Sequence, residues 1–158
     1  KVLHGVTIDV QKQDEFTASL GKGSYLNNRR IRVSKRSGIK GALLSNSSHN
    51  TDSGKVHHDN IGTFRALYNY GLTIRRTGSV ALDMANVAAG RLDGFWGSGL
   101  ESWDFAAGGL LVQEAGGIVS NYLGETDYLE GGNIIGATTK CFKPMLKAIK
   151  PFVSLSED

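Results

Sequence analysis

The stretch Glu101-Ser-Trp-Asp-Phe-Ala-Ala-Gly-Gly-Leu-Leu-Val-Gln-Glu-Ala-Gly-Gly-Ile-Val-Ser120 decides how this chain is read. It predicts a small-residue helix from about Asp104 to Ala115, stopped at Gly116-Gly117, then a short apolar strand from Ile118 to Asn121. Ala106, Ala107, Gly108 and Gly109 let that helix lie close to another backbone. Glycine costs about 1 kcal/mol relative to alanine in a helix interior, and close contact is the natural compensation. Asp104 stands at the helix start, where free N–H groups and the positive dipole end hold a carboxylate ionised. Two roles fit it. It is either an N-terminal cap, with Ser102 sharing that role, or an oxygen ligand for magnesium at the mouth of an α/β sheet. Trp103 reads either as core packing or as a shield keeping water from that ligand. One carboxylate does not hold a catalytic magnesium alone, so Asp104 needs partners.

Working outward, Val2–Val10 and Glu15–Leu20 read as a hairpin, and Tyr25–Val33 as a turn at Asn27-Asn28 with a further strand. The polar connector Lys35–Lys40 marks the boundary between two sheets. Ala42–Ser45 is a short buried strand and Asn46–Lys55 a Ser/Asn/Asp/Gly loop. Ile61, Phe64, Leu67 and Tyr68 recur at helical spacing in a helix over Asp59–Tyr68. Leu72–Arg75 is a strand, Ser79–Ala89 a closely packed helix, and Asp93–Trp96 a strand. Tyr122–Gly132 is a loop, Asn133–Ala137 the last strand and Lys140–Ile149 the last helix. Alternating strands and helices imply an α/β sheet.

The 158 residues are 40% hydrophobic and 21% charged, a globular balance. No apolar run approaches the ~20 residues a membrane span needs. The single cysteine, Cys141, rules out an intrachain disulfide and a cysteine-rich zinc site, and reads as a small structural residue; a cytoplasmic setting fits. Net charge is +3. The run Arg29, Arg30, Arg32, Lys35, Arg36 and Lys40 reads as a solvated strand and loop. Contact with an anionic partner such as RNA is the alternative, without aromatic interleaving to support it.

Other constellations bear on chemistry. In Arg75-Arg-Thr-Gly-Ser-Val80 a strand ends and a helix begins, giving backbone N–H groups for an anion or hydroxyl. It lacks the lysine and glycine spacing of a P-loop. The plainer reading is a turn with Ser79 as cap. Arg75 and Arg76 meet either a phosphate or carboxylates. His49, His57 and His58 have no zinc-type spacing and read as solvated. Gly97-Ser-Gly99 reads as a flexible or tight loop before Glu101, which either reaches a polyol hydroxyl or is a solvated charge.

Arg75-Arg-Thr-Gly-Ser-Val-Ala-Leu-Asp83, Val87-Ala-Ala-Gly-Arg-Leu-Asp-Gly94, Trp103-Asp-Phe-Ala-Ala-Gly108 and Glu114-Ala-Gly-Gly117 together resemble the C-terminal half of the inositol monophosphatase family, in particular its bacterial extragenic-suppressor subgroup. Glu15-Phe-Thr-Ala18 and Gly21-Lys-Gly-Ser-Tyr-Leu-Asn-Asn28 fit the family's hairpin. The likeness spans nearly the whole chain and thins between Ser45 and Tyr70 and after Lys140.

The resemblance implies a layered α-β-α-β-α sandwich. Residues 1–38 would supply strands of its first antiparallel sheet, with one edge exposed, and 39–158 its C-terminal α/β domain. It also implies Mg²⁺-dependent, lithium-sensitive hydrolysis of a phosphate monoester of inositol or another polyol, metal-bound water attacking phosphorus, in a cytoplasmic homodimer. Asp104 matches the C-terminal metal ligand. Gly78 and Val80, with Ser79 between them, match positions that approach the substrate's hydroxyls through the backbone. Glu101 matches a variable substrate-side position, and Ser47 lies near a polar residue by the substrate. Two departures stand out. Gly97 replaces a Glu that several inositol-using members carry, which points toward another sugar or polyol phosphate. The Asp-Pro-(apolar)-Asp-Gly-Thr ligand motif is absent, since the only prolines are Pro144 and Pro151. The chain is therefore expected to be a C-terminal portion, inactive alone. The competing expectations are an RNA polymerase-binding antitermination protein of the same family, and a catalytically dead relative.

Overall fold

The computed structural model describes residues 1–49 and 56–155. The chain opens with an antiparallel meander in spatial order β1-β2-β3-β4: β1 (His4–Asp9), β2 (Asp14–Ser19), β3 (Gly23–Leu26) and β4 (Arg29–Ile31). Period-two alternation buries Gly5, Thr7, Phe16 and Ala18 on one face and leaves Val6 and Ile8 exposed on the other. Asp9 Oδ1 closes the first hairpin by accepting the N–H groups of Gln11 and Lys12, both at 3.2 Å. Asn27 and Asn28, at φ 47° and 62°, make the left-handed pair that a two-residue hairpin turn requires. β1 is an unpaired edge among the described residues, as expected.

The second sheet holds β5 (Leu43–Ser48), β7 (Thr73–Arg75), β8 (Gly94–Ser98), β9 (Ile118–Ser120) and β10 (Asn133–Ala137), in the order β7-β5-β8-β10-β9. β7, β5 and β8 are parallel; β10 runs antiparallel to both of its neighbours. The helices are α1 (Asn60–Tyr68), α2 (Val80–Ala88), α3 (Ser102–Glu114) and α4 (Thr139–Ile149). α2 and α3 lie between the sheets, in a core joining Phe16 and Ala18 to Met84, Phe105, Leu111, Phe95 and Ile134. α1 and α4 cover the other face of the second sheet, around Leu44, Leu67, Trp96, Ile135 and Met145. The result is a β-α-β-α stack, four layers of the expected five.

Glycines set the spacing of that stack. A Cβ on Gly108 would sit 2.4 Å from Met84 Cβ, and one on Gly5 would sit 3.1 Å from Ala107 Cα. The small-residue stripe of α3 therefore meets α2 on one side and β1 on the other, which is the compensation its glycines called for. Glu114, at the end of α3, clamps the β2–β3 turn: its two oxygens accept the N–H groups of Gly21 at 2.7 Å and Gly23 at 2.8 Å. At the amino end of the parallel strands, Asp93 receives Arg36 Nε at 2.8 Å and Leu43 N–H at 2.8 Å. Part of the basic run is thus bound into the fold.

Several expectations change. The loop expected over Asn46–Lys55 gives way to strand at Asn46–Ser48, and its remainder at 50–55 lies outside the described residues. Their serine and asparagine side chains concealed a buried parallel strand that polarity alone reads as loop. Gly97 and Ser98 likewise belong to β8; only Gly99, at φ 65°, makes the turn. His57 and His58 lie in β6 (Val56–His58), paired antiparallel with β11 (Val153–Leu155), a ribbon the spacing did not predict. On α1 the apolar stripe faces outward: Ile61 is 80% exposed, Phe64 43% and Tyr68 62%, while Leu67 is buried. Gly62 is the contact point instead, packed on the Phe152 ring.

Candidate functional site

The three parallel strands end on one edge of the sheet, at Arg75, Ser48 and Ser98. α1 and α2 leave to opposite faces there, so the edge has the form of a crevice outside the carboxyl ends of strands, where α/β sheets bind ligands. Besides α1, two helices begin at this edge. α2 starts after Arg76-Thr77-Gly78-Ser79 and α3 after Gly99-Leu100-Glu101. Their first-turn N–H groups and dipole ends suit an anion.

Ser79 caps α2, its hydroxyl accepting Leu82 N–H at 3.4 Å. Gly78 holds φ 90°, a left-handed conformation that places its backbone on an exposed turn. Val80 is buried beneath it, which leaves only its main chain for a ligand. Arg76 Nη2 donates to Ser48 O at 2.8 Å and ties this turn to the end of β5. Arg76 thus binds a main-chain carbonyl through Nη2 and forms no ion pair with a carboxylate among the described residues. Below the turn, Thr77 Oγ1 donates to Asp83 Oδ1 at 2.7 Å. Burial pushes the Asp83 carboxyl up to about 6, opposed by the Thr77 and Ser45 hydroxyls. Ser45 is near enough to favour the ionised form, yet Ser45 Oγ and Asp83 Oδ2 are each buried without a well-formed hydrogen bond.

On α3 the cap is Glu101, one residue earlier than Ser102, and Asp104 occupies the third helical position. Asp104 Oδ2 accepts Glu101 N–H at 3.0 Å, the returning half of a capping box. The cap role of Asp104 is therefore real, and its Oδ1 makes no hydrogen bond among the described residues. Glu101 and Asp104 are brought together with exposed and half-buried side chains respectively. Trp103 is 76% exposed and is not part of the core formed by the described residues. Ser47 lies buried on β5, paired in register with Gly97 of β8. Gly97 has no room for a side chain: its Cβ would sit 2.6 Å from Leu100 Cδ1 and 2.8 Å from Ser47 O. A side chain at this position would therefore require its neighbours to shift.

Magnesium takes about six oxygen ligands, several of them waters. Among the described residues no three carboxylate, histidine or cysteine groups converge. Asp104 fits as a single oxygen donor, and the donor set of these residues alone does not fit a magnesium site.

Of the histidines expected to be solvated, His49 is exposed, the side chain of His57 lies outside the described residues, and His58 is corrected. His58 is half-buried, with Nε2 2.7 Å from Thr63 Oγ1 and Nδ1 3.3 Å from Ser98 Oγ, and its ring meets Tyr122 edge-on at 4.6 Å. Ser98 donates in turn to Asn60 Oδ1 at 2.9 Å, so this network fastens the start of α1 to the end of β8. The sequence reading missed it because the partners are brought together only by the β6–β11 ribbon. It also missed Asp83, whose spacing from Thr77 across the Ser79 cap was the available signal. Cys141 is buried and its thiol pushed up to about 11, first by burial and then by Asp93, which suits a structural residue.

Comparison with known proteins converges on one family. The pattern of the inositol monophosphatase family matches residues 1–153. Nus factor SuhB of Pseudomonas aeruginosa is 50% identical over 149 residues, covering 94% of this chain and 55% of that protein. Inositol-1-monophosphatase of Mesorhizobium japonicum is 37% identical over 151 residues, covering 95% and 56%. The crystal structure of extragenic suppressor protein suhB from Bartonella henselae superposes with a TM-score of 0.88 at 36% identity, over 95% of this chain and 57% of that one. The chain thus spans just over half the length of the relatives it matches. Its architecture, sequence pattern and relatives agree: the chain belongs to the inositol monophosphatase family, in its bacterial extragenic-suppressor subgroup.

Proposed function

We propose that this chain forms one wall of the active site of a Mg²⁺-dependent phosphate monoester hydrolase. The observation that carries the reading is that α2 and α3 both start at the carboxyl edge of β7, β5 and β8, with an open Asp104 oxygen. Asp104 contributes one oxygen toward magnesium, and the remaining carboxylates come from outside the described residues. The main chain of Gly78 and Val80, Ser79 between them and Ser47 on β5 line the substrate side. Glu101 offers an exposed carboxylate to a polyol hydroxyl. With Gly97 sterically closed, the substrate is inositol phosphate or another polyol phosphate gripped without a side chain there. The 158 residues alone do not turn over. Self-association into a homodimer in the cytoplasm belongs to the same proposal, and the outward Ile61, Phe64 and Tyr68 stripe supports it. None of the described helices is long and apolar enough to cross a membrane.

The test is hydrolysis of myo-inositol 1-phosphate with Mg²⁺, by the purified chain and by a full-length protein carrying it. No turnover by the chain is expected, with severe loss in the full-length protein on Asp104→Asn. Normal turnover by the chain, or an Asp104→Asn enzyme with ordinary activity, sinks the reading. A second reading, binding to RNA polymerase in antitermination, is favoured by the 50%-identical relative's designation as a Nus factor. Polymerase pull-down unaffected by Asp104→Asn would support it, and no binding at low salt would remove it.

A further inference from the structure

Asp83 is a buried carboxylate with no part in the proposed site. It sits on α2 at 1% exposure, with no charged partner among the described residues. Among the described residues the Thr77 and Ser45 hydroxyls act on it, and Oδ2 makes no well-formed hydrogen bond. A carboxylate in that setting costs more than an apolar or amide side chain of similar size. Its ordinary role is local: a link from the turn before a helix to the helix's second turn, as apolar residues make around many caps. That role does not require a charge, and an apolar pair would fill it without the burial cost.

The turn itself is exposed from Arg75 to Gly78 and has two side-chain anchors. Arg76 ties it to Ser48 O at 2.8 Å, and Thr77 ties it to Asp83 at 2.7 Å. Thr77 Oγ1 also lies 3.5 Å from Ser79 N, at the limit of a hydrogen bond. Between these anchors Gly78 is held at φ 90°. We propose that Asp83 is a positioning residue which, through the Thr77 hydroxyl, fixes the Thr77–Val80 turn in the conformation that presents the Gly78 and Val80 main chain at the sheet edge. The substrate role of that turn rests on the proposed function; the anchoring does not. A hydrogen bond to an ionised acceptor is stronger than a neutral one and holds an exposed turn more tightly. The function of the buried charge is thus to stiffen a surface that a ligand must meet.

The test uses the whole chain, ¹⁵N-labelled, as wild type, Thr77→Val, Asp83→Asn and Asp83→Leu. In the wild type the amides of Gly78, Ser79 and Val80 should shift together on acidification with one midpoint near 6. Thr77→Val should abolish that shared response while resonances of β1 to β4 stay in place. Asp83→Asn, which still accepts from Thr77, should keep the turn shifts near their wild-type values without the pH response. Turn amides that respond in Thr77→Val as in the wild type overturn the proposal. So does an Asp83→Asn turn as displaced as that of Asp83→Leu, or a folded Asp83→Leu with an undisturbed turn. A second arm adds myo-inositol 1-phosphate with Mg²⁺ to a full-length protein carrying this chain, where Thr77→Val should weaken binding about tenfold, the effect of one charge-assisted hydrogen bond. Ligand shifts that avoid this turn count against the proposed function, while the first arm still decides the anchor.

Discussion

Replacing Asp83 by Asn should stabilise the protein at neutral pH, and the gain should vanish in acid. The folded carboxyl is raised from 3.8 to about 6 by burial. For a raised acid the favourable state is the protonated one. Stability from this group is therefore complete below the unfolded value and is lost as pH rises through the folded value. The gap corresponds to about 3 kcal/mol at pH 7.5, falling to about 1 kcal/mol at pH 4.5. Asn carries no charge to desolvate, still accepts from Thr77, and turns an amide N–H toward the unpaired Ser45 hydroxyl. The figure is a ceiling, because a strained amide fit subtracts from it. For a chain of this size it equals a rise in Tm of up to about 6–12 °C. Thermal and urea unfolding of both proteins at pH 7.5 and pH 4.5 measures it. Other carboxylates titrate in both proteins and cancel in the difference. An Asp83→Asn variant that is less stable by the same amount at both pH values would refute the reasoning, since the carboxylate would then be a net stabiliser.

Two further substitutions probe the frame around the site. Gly97→Glu should destabilise by about 2 kcal/mol or more, because its Cβ meets the Ser47 carbonyl and Leu100, and it should not improve inositol phosphate binding; chemical denaturation with a binding titration checks both. Glu114→Ala should cost about 2–4 kcal/mol by releasing two charge-assisted hydrogen bonds to Gly21 and Gly23, read from the denaturation midpoint and faster amide exchange in the β2–β3 turn.

The parts of the fold legible in the sequence are those where local chemistry and burial agree. The α3 stretch reads correctly because small residues, a capping carboxylate and Gly116-Gly117 all serve one helix packed between two layers. The Asn27-Asn28 turn reads correctly because its left-handed φ values favour asparagine. Asn46–Ser48 misleads because a central parallel strand at a sheet edge carries polar side chains, and polarity is also what marks a loop. The α1 stripe misleads for the opposite reason: helical periodicity finds an apolar face but does not say that Gly62 and Leu67 form the inward one. At the site, Asp104 and the Gly78–Val80 turn stand out from motif alone. Thr77–Asp83, Arg76–Ser48 and Ser98–His58 do not, because each depends on which strands end side by side.

The central claim is that the carboxyl edge of β7, β5 and β8 is where a phosphate ester and magnesium meet this chain. Amide mapping of a full-length protein carrying this chain with myo-inositol 1-phosphate, with and without Mg²⁺, tests it most directly. The account predicts shifts clustered at Ser47, Gly78–Val80 and Ser98–Asp104, with the Mg²⁺-dependent part lost in Asp104→Asn. Shifts clustered on another surface, or a Mg²⁺ response that survives Asp104→Asn unchanged, would contradict it.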